Sequence, residues 1–572
     1  MIKRTIIIIS LIAVFLLPAV AQVKQTDQNL KREVTLYNPY KPSLADAKKK
    51  NYLPEINDTA RVYPVFSYEV VSKPFTPTYS ISPIKSASLL SDPLPRLYKS
   101  YVRIGIGNNN TPLGELSISN HRSRKGAIGF YARHYSSNGK VPLESKQRVY
   151  AGFMDNDASL YGKRFFRKSY IDLSANFLQK TRYAYGYNTI EPFEFIKKNI
   201  KLDYYDVGAA ASFSSLNLDS SDLSFDFGLA YDFFHNTKDR TMNHIGFKGS
   251  MSRLYQGFYV GSGIKIDHYR LSESLDLEPK YILSLSPYVR KSTEQWNFNI
   301  GIQLSVEKNL ENSAKVYFHP DVRFGFSIVP EYMRFFAGLA GKLENNEPLK
   351  IISENPCLVP DGSLFRIPNT NHSLIISAGL KGNNGLGGNY LASVSYSLIN
   401  NLLLYSNVVY PDTVGSVERG NHFIVIPDDG EVFNIHGEFT AGITKRLSFN
   451  ASANYYKYTL SANPHAWNKP EWDGKLGLYY NLRNKIIAGT DITALGSRKL
   501  MVSQSPSGWM TLEPSVIEEP VHLNLGFSAE YRYTKILSFW FKINNVSWDR
   551  YYEWAYYPSQ MFNFMLGFSY SL

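Results

Sequence analysis

The sequence predicts an all-β protein, a transmembrane antiparallel β-barrel of about 22 strands preceded by a short extended N-terminal segment. Three observations predict it. Apolar and polar residues alternate with period two over many segments, and the connections between those segments alternate between short and long. No internal apolar run approaches the roughly 18 to 20 residues that a spanning helix needs. In lipid every backbone N–H and C=O must be satisfied inside the protein, so a chain that crosses without helices crosses as a closed sheet.

Composition agrees. Tyr (42) and Phe (34) supply most of the 15% aromatic share, which is interfacial rather than greasy in character. The chain begins with the charged Lys3-Arg4, continues through an apolar stretch from Ile6 to Leu17, and reaches Ala19-Val20-Ala21 before Gln22. That order is a signal peptide over 1–21 with cleavage after Ala21, preferred over a retained anchor helix because the apolar run is short. The mature chain is expected in the outer membrane of a Gram-negative envelope. Cys357 is the only cysteine, which excludes an intramolecular disulfide framework. The net charge of +13 is dispersed over loops and strands without a recognition helix, so nucleic acid is not an expected partner. Outer-membrane lipid and lipopolysaccharide, an anionic solute, or an envelope protein fit better.

The last strand carries the clearest alternation. Phe562, Phe564, Leu566, Phe568, Tyr570 and Leu572 share one parity, and Asn563, Met565, Gly567, Ser569 and Ser571 the other. Successive side chains of a strand face opposite sides, so the first set meets lipid and the second the lumen. Val521 to Tyr533, Leu223 to Phe233 and Trp296 to Val306 repeat the pattern. A parity slip at Tyr204-Tyr205 predicts a β-bulge. Inward parity places Asp172, Asp226, Asp232, Glu530, Arg532 and Lys542 on the lumen wall.

Connections give an independent count. Short links such as Arg167–Ser169, Lys291–Gln295, Thr444–Arg446, Arg483–Lys485 and Thr534-Lys535 fall on one parity. Longer links fall on the other: Asn188–Lys198, Glu344–Asn369, Val409–Asn421, Ser461–Lys469, Ser497–Glu519 and Asp549–Ser559. Short periplasmic turns and long outside loops are the asymmetry of outer-membrane barrels, and a soluble propeller has no reason to show it. Residues 99–572 are assigned to the barrel and 22–98 to a periplasmic or lumenal segment rich in Pro, Lys and Ser, with a few strand residues around Phe66–Val71.

In the C-terminal third, Trp467-Asn468-Lys469-Pro470-Glu471-Trp472, Ala494-Leu495-Gly496, Tyr551 to Gln560, Phe562-Asn563-Phe564 and Asp428 to Asn434 resemble the end of TonB-dependent receptor barrels. The resemblance covers mainly the barrel and implies 22 strands. It also implies a folded N-terminal plug, for which the roughly 75 residues between the cleavage site and the first strand fall short of a usual domain. A barrel lacking a conventional plug is therefore expected. Glu33-Val34-Thr35-Leu36 is similar to a TonB box, but four such residues are common and are read as ordinary chain.

Other motifs carry little chemistry. Gly105-Ile106-Gly107 lacks the third glycine and the helix of a dinucleotide site, so it reads as strand glycine. Asp155-Asn156-Asp157 lacks the downstream ligands of a calcium loop. His235 and His244 flank an outside connection without an assignable third metal ligand. No cofactor, metal or catalytic residue is expected. The aromatic residues Trp467, Trp472, Tyr551, Tyr552, Trp554, Tyr556 and Tyr557 are the candidate contacts at the outer mouth, either stacking a flat ligand or packing the loops and interface. Three functions remain in view: solute passage through a gated or partner-occluded barrel, a non-transporting structural or assembly subunit of an outer-membrane complex, and, least favoured, an outer-membrane enzyme.

Overall fold

The computed structural model describes residues 98–572 apart from 121–122, 124, 187–195, 217–222, 273–276, 309–312, 359–361, 410–421, 505–514 and 547–549. The expected signal peptide, the segment to residue 97 and Glu33–Leu36 lie outside the described residues.

Twenty-two antiparallel strands close into one barrel, each paired with its neighbours along the chain. The circle is sealed where Ser100–Gly107 pairs with Asn563–Ser571. Lys99 and Ser100 both donate their N–H to the Leu572 carbonyl, at 2.6 and 3.0 Å. The last strand is therefore the closing strand. Exposure follows the alternation: Leu523, Leu525, Phe527, Tyr531 and Tyr533 are 37% to 57% exposed on the outer face. Asp172, which has inward parity, meets Lys163 at 3.1 Å. No helix among the described residues is long and apolar enough to cross a membrane; the one α-helix among those residues is Pro348–Glu354.

At the end where the chain enters and leaves the barrel the turns are tight. Arg483 and Asn484 both take left-handed φ, 54° and 57°, as required by two-residue hairpin turns whose twist matches the flanking strands. At the other end, connections carry structure of their own. They include the hairpin Lys140–Pro142/Arg148–Tyr150 and a second hairpin, Arg498–Gln504/Ser515–Glu519. Asn389–Val409 and His422–Gly442, each 21 residues, run well past the roughly 9 to 11 residues a bilayer needs.

The bulge expected at Tyr204-Tyr205 is not there. Lys201–Ser215 pairs in unbroken register with both neighbours. Parity is kept, but the inner face changes character: Tyr204 points inward and is only 1% exposed because the 345–369 connection packs over it, the Pro356 carbonyl accepting its hydroxyl. Register shifts occur instead at Ser327/Val329, Ala340/Lys342, His372/Leu374 and Ile399/Leu402.

Candidate functional site: a roof over the outer mouth

The main apolar core of the described residues sits in the outer mouth, not in the wall. It joins Val141, Leu143 and Val149 of the first hairpin, Ile351, Ile352, Cys357 and Leu358 of the 345–369 connection, Leu500 and Val502 of the second hairpin, and Ala555 and Tyr557 of the last connection. Wall residues Tyr204, Phe234, Tyr405 and Phe423 close it from the side. A wet lumen would reject these side chains, so the loops bury them against one another.

Aromatic packing centres on Trp554 and Tyr557. The Trp554 ring meets Tyr405 at 5.1 Å and Phe423 at 5.4 Å, both edge-on, and Tyr557 meets Phe423 at 5.5 Å and Tyr185 at 4.8 Å. Tyr556, held at φ 63°, makes the reversal that turns Tyr557 inward. A non-glycine residue holds that conformation only where its surroundings fix it.

Hydrogen bonds tie the pieces together. Arg498 donates from Nη2 to the Tyr552 carbonyl at 2.6 Å, and from Nη1 to the Glu553 carbonyl at 3.1 Å and Asn468 Oδ1 at 3.2 Å. The Tyr552 N–H donates to Glu519 Oε1 at 3.0 Å. Met501–Gln504 runs parallel to Ser406–Val409, so the second hairpin adds strand to the projecting wall. Below the 345–369 connection, Tyr269 donates to Glu347 Oε1 at 2.7 Å, and Lys280 donates to Asn345 and Asn369, each at 2.7 Å.

The seven aromatic residues selected from sequence separate in space. Tyr552, Trp554, Tyr556 and Tyr557 belong to the roof or pack against it. Tyr551 stacks on His522 with ring centres 3.6 Å apart. Trp467 is buried beside them in the 461–471 connection, donating from Nε1 to Asn463 Oδ1 at 2.9 Å. Trp472 stands apart, exposed at the start of its strand opposite Tyr455. Sequence reasoning did not single out Arg498, Glu519, Tyr405, Phe423 or Tyr185. The signal available for Tyr405 and Phe423 was strand length, since both lie in the overlong pair.

The histidines have protein partners. His244 lies between Asp232 and Asp267, 3.0 Å from each, and stacks on Tyr269 at 4.4 Å. His235 contacts Asp239. Asp155 receives Arg182 through two bonds, at 2.7 and 3.2 Å. No group of three or more His, Cys, Asp or Glu among the described residues is arranged to hold a metal.

Cys357 offers a native probe. Burial pushes its thiol up to about 12, so at pH 8 almost none is thiolate, the reactive form. Maleimide is expected to modify Cys357 in the folded chain at least about 100-fold more slowly than in denatured chain. Comparable rates by mass spectrometry would mean that the roof is not shut.

Comparison with solved structures places the wall. The FrpB iron transporter from Neisseria meningitidis (F3-3 variant) superposes with a TM-score of 0.62 at 12% identity, over 84% of this chain and 82% of that one. The chain has the fold of a TonB-dependent receptor barrel. This receptor-type barrel is also similar to the copper transporter OprC, with a TM-score of 0.59 at 12% identity over 83% and 80% of the two chains. A point mutant of the ferric enterobactin receptor PfeA of Pseudomonas aeruginosa gives 0.59 at 10% identity over 83% and 81%. No family model and no curated protein matches the sequence. The receptor-type barrel and its lipid-facing wall make the chain an outer-membrane protein.

Proposed function

We propose that this chain is a solute-passage barrel of the outer membrane, lacking a conventional plug and shut at rest by its own outside loops. One observation carries the reading: a core of packed aromatic and aliphatic loop residues lies across the mouth of a barrel whose inner wall below carries charged pairs such as Lys163–Asp172. A purely structural shell has no need of a polar lumen beneath a sealed top, whereas a gated passage needs both. The transporters and receptors of similar fold support passage.

Planar-bilayer conductance tests it. The purified full chain is expected to be silent, and a variant with residues 499–518 replaced by a short Gly-Ser link is expected to conduct. Silence of that variant while Cys357 becomes reactive would show that an open roof leads nowhere. That outcome favours the subunit reading, which a stoichiometric outer-membrane or periplasmic partner in a gentle-detergent pull-down would support.

A further inference from the structure

We infer an anion-binding pocket in a notch of the outer wall, separate from the roof core. Leu447–Leu460 is paired by Trp472–Leu482 only as far as the Tyr455–Trp472 pair. Beyond it, past one further bond from the Tyr456 N–H to the Glu471 carbonyl at 2.7 Å, the edge is flanked by the 461–471 connection and the second hairpin, leaving a cavity of about 430 Å³. Pro464, Glu471 and Ser497, all on its lining, are partly or fully exposed, so the cavity opens outward. Its volume suits a metabolite-sized solute.

Its charge is unbalanced. Lys457, Lys469 and Lys499 all line it, and among the described residues none has a carboxylate partner. Lys499 donates to His465 Nε2 at 3.3 Å and stands opposite Glu518 in the hairpin register without closing an ion pair with it. Lys469 lies 5.8 Å from the Tyr405 ring centre. Arg498 is committed to main-chain carbonyls. Against these cations the lining carries two carboxylates, Glu471 and Glu518. Tyr456 and Tyr458, ring centres 5.9 Å apart at 25°, add a flat face. Uncompensated ammonium groups around a small concave site recognise carboxylate or phosphate, so the ligand is a small solute bearing two or more such groups. Binding does not depend on conduction; only the idea that the bound anion is cargo rests on the passage reading.

Isothermal titration of the purified full chain in uncharged detergent tests the pocket, with citrate and pyrophosphate as probes and maltotriose as the neutral control. Citrate and pyrophosphate are expected to bind, more weakly as salt rises, and maltotriose not to bind. The K469Q/K499Q variant is expected to lose at least about tenfold in affinity, and Lys499→Arg to retain binding. Heat-modified gel mobility checks folding; if the double variant misfolds, Lys499→Gln alone makes the comparison. Unchanged citrate affinity in a folded glutamine variant overturns the proposal, as does equal binding of maltotriose. Loss of citrate binding after saturation with lipopolysaccharide assigns the cations to lipid phosphate and overturns the solute. Citrate binding by the full chain, together with a 499–518 replacement that never conducts, sinks passage and leaves the pocket standing.

Discussion

Gly567→Val is expected to prevent assembly of the barrel, read as loss of the heat-modifiable folded band on a gel and of protein inserted into membranes. Gly567 pairs with Gly105 across the closing seam and with Trp540 on its other side. A Cβ at 567 would meet the Ile104 carbonyl oxygen and stand 2.6 Å from Trp540 Cζ2. The carbonyl is backbone held by the ladder, so no rotamer relieves the clash. The loss should exceed about 4 kcal/mol, a size that few single substitutions reach. Gly105→Ala makes the contrast. Its Cβ would meet the far edge of the Trp540 ring at 2.5 Å and the Leu566 carbonyl oxygen at 3.2 Å; a shift of the ring and a few tenths of an ångström of backbone relieve both, for an overpacking cost of about 1 to 3 kcal/mol. A folded, stable Gly567→Val barrel would disprove this account of the seam.

Trp554→Ala is expected to open the roof without dissolving the wall. Trp554 is half-buried, so its removal falls at or below the low end of the about 3 to 5 kcal/mol that a fully buried aromatic costs. The Trp554 neighbours Tyr405 and Phe423 lie on strands, so the loss falls on the loops docked against them. A shift of about 3 kcal/mol corresponds to roughly 100-fold more open state, read as a matching rise in maleimide reaction at Cys357 with gel mobility unchanged. An unchanged rate would remove Trp554 from the latch. The pH dependence has a definite sign. The shut roof holds the Cys357 proton more tightly than an exposed thiol does, so this group's contribution to closure is present below the ordinary thiol range. It is lost as pH rises from that range toward about 12.

The barrel was legible because a lipid-facing strand has a rule that each residue obeys: Leu523, Leu525 and Phe527 face outward wherever the sheet runs through lipid. Strand number and the closing role of the final strand followed from that parity. The roof was legible only in part. Tyr204 breaks the polar-inward rule because of residues far away in sequence, such as Pro356, whose carbonyl accepts its hydroxyl at 3.3 Å. Local pattern reads that change of partner as a bulge. Tyr552, Trp554 and Tyr557 stood out by composition, but their neighbours Phe423 and Tyr185 are brought in by closure of the ring. Arg498 gave no signal, since its partners are backbone carbonyls and one amide oxygen.

The seam has a temporal consequence. Its partners lie at the two extremes of the described chain, as in the bond from Asn108 to the Phe562 carbonyl across 454 residues. Joining ends so far apart costs about 5 kcal/mol of chain entropy, and contacts of such separation form late. Until Asn563–Ser571 arrives, the growing sheet carries two unsatisfied edges, each a template for a strand of another molecule. The final nine-residue strand thus sets the interval during which a nascent barrel is open to misassembly with its neighbours.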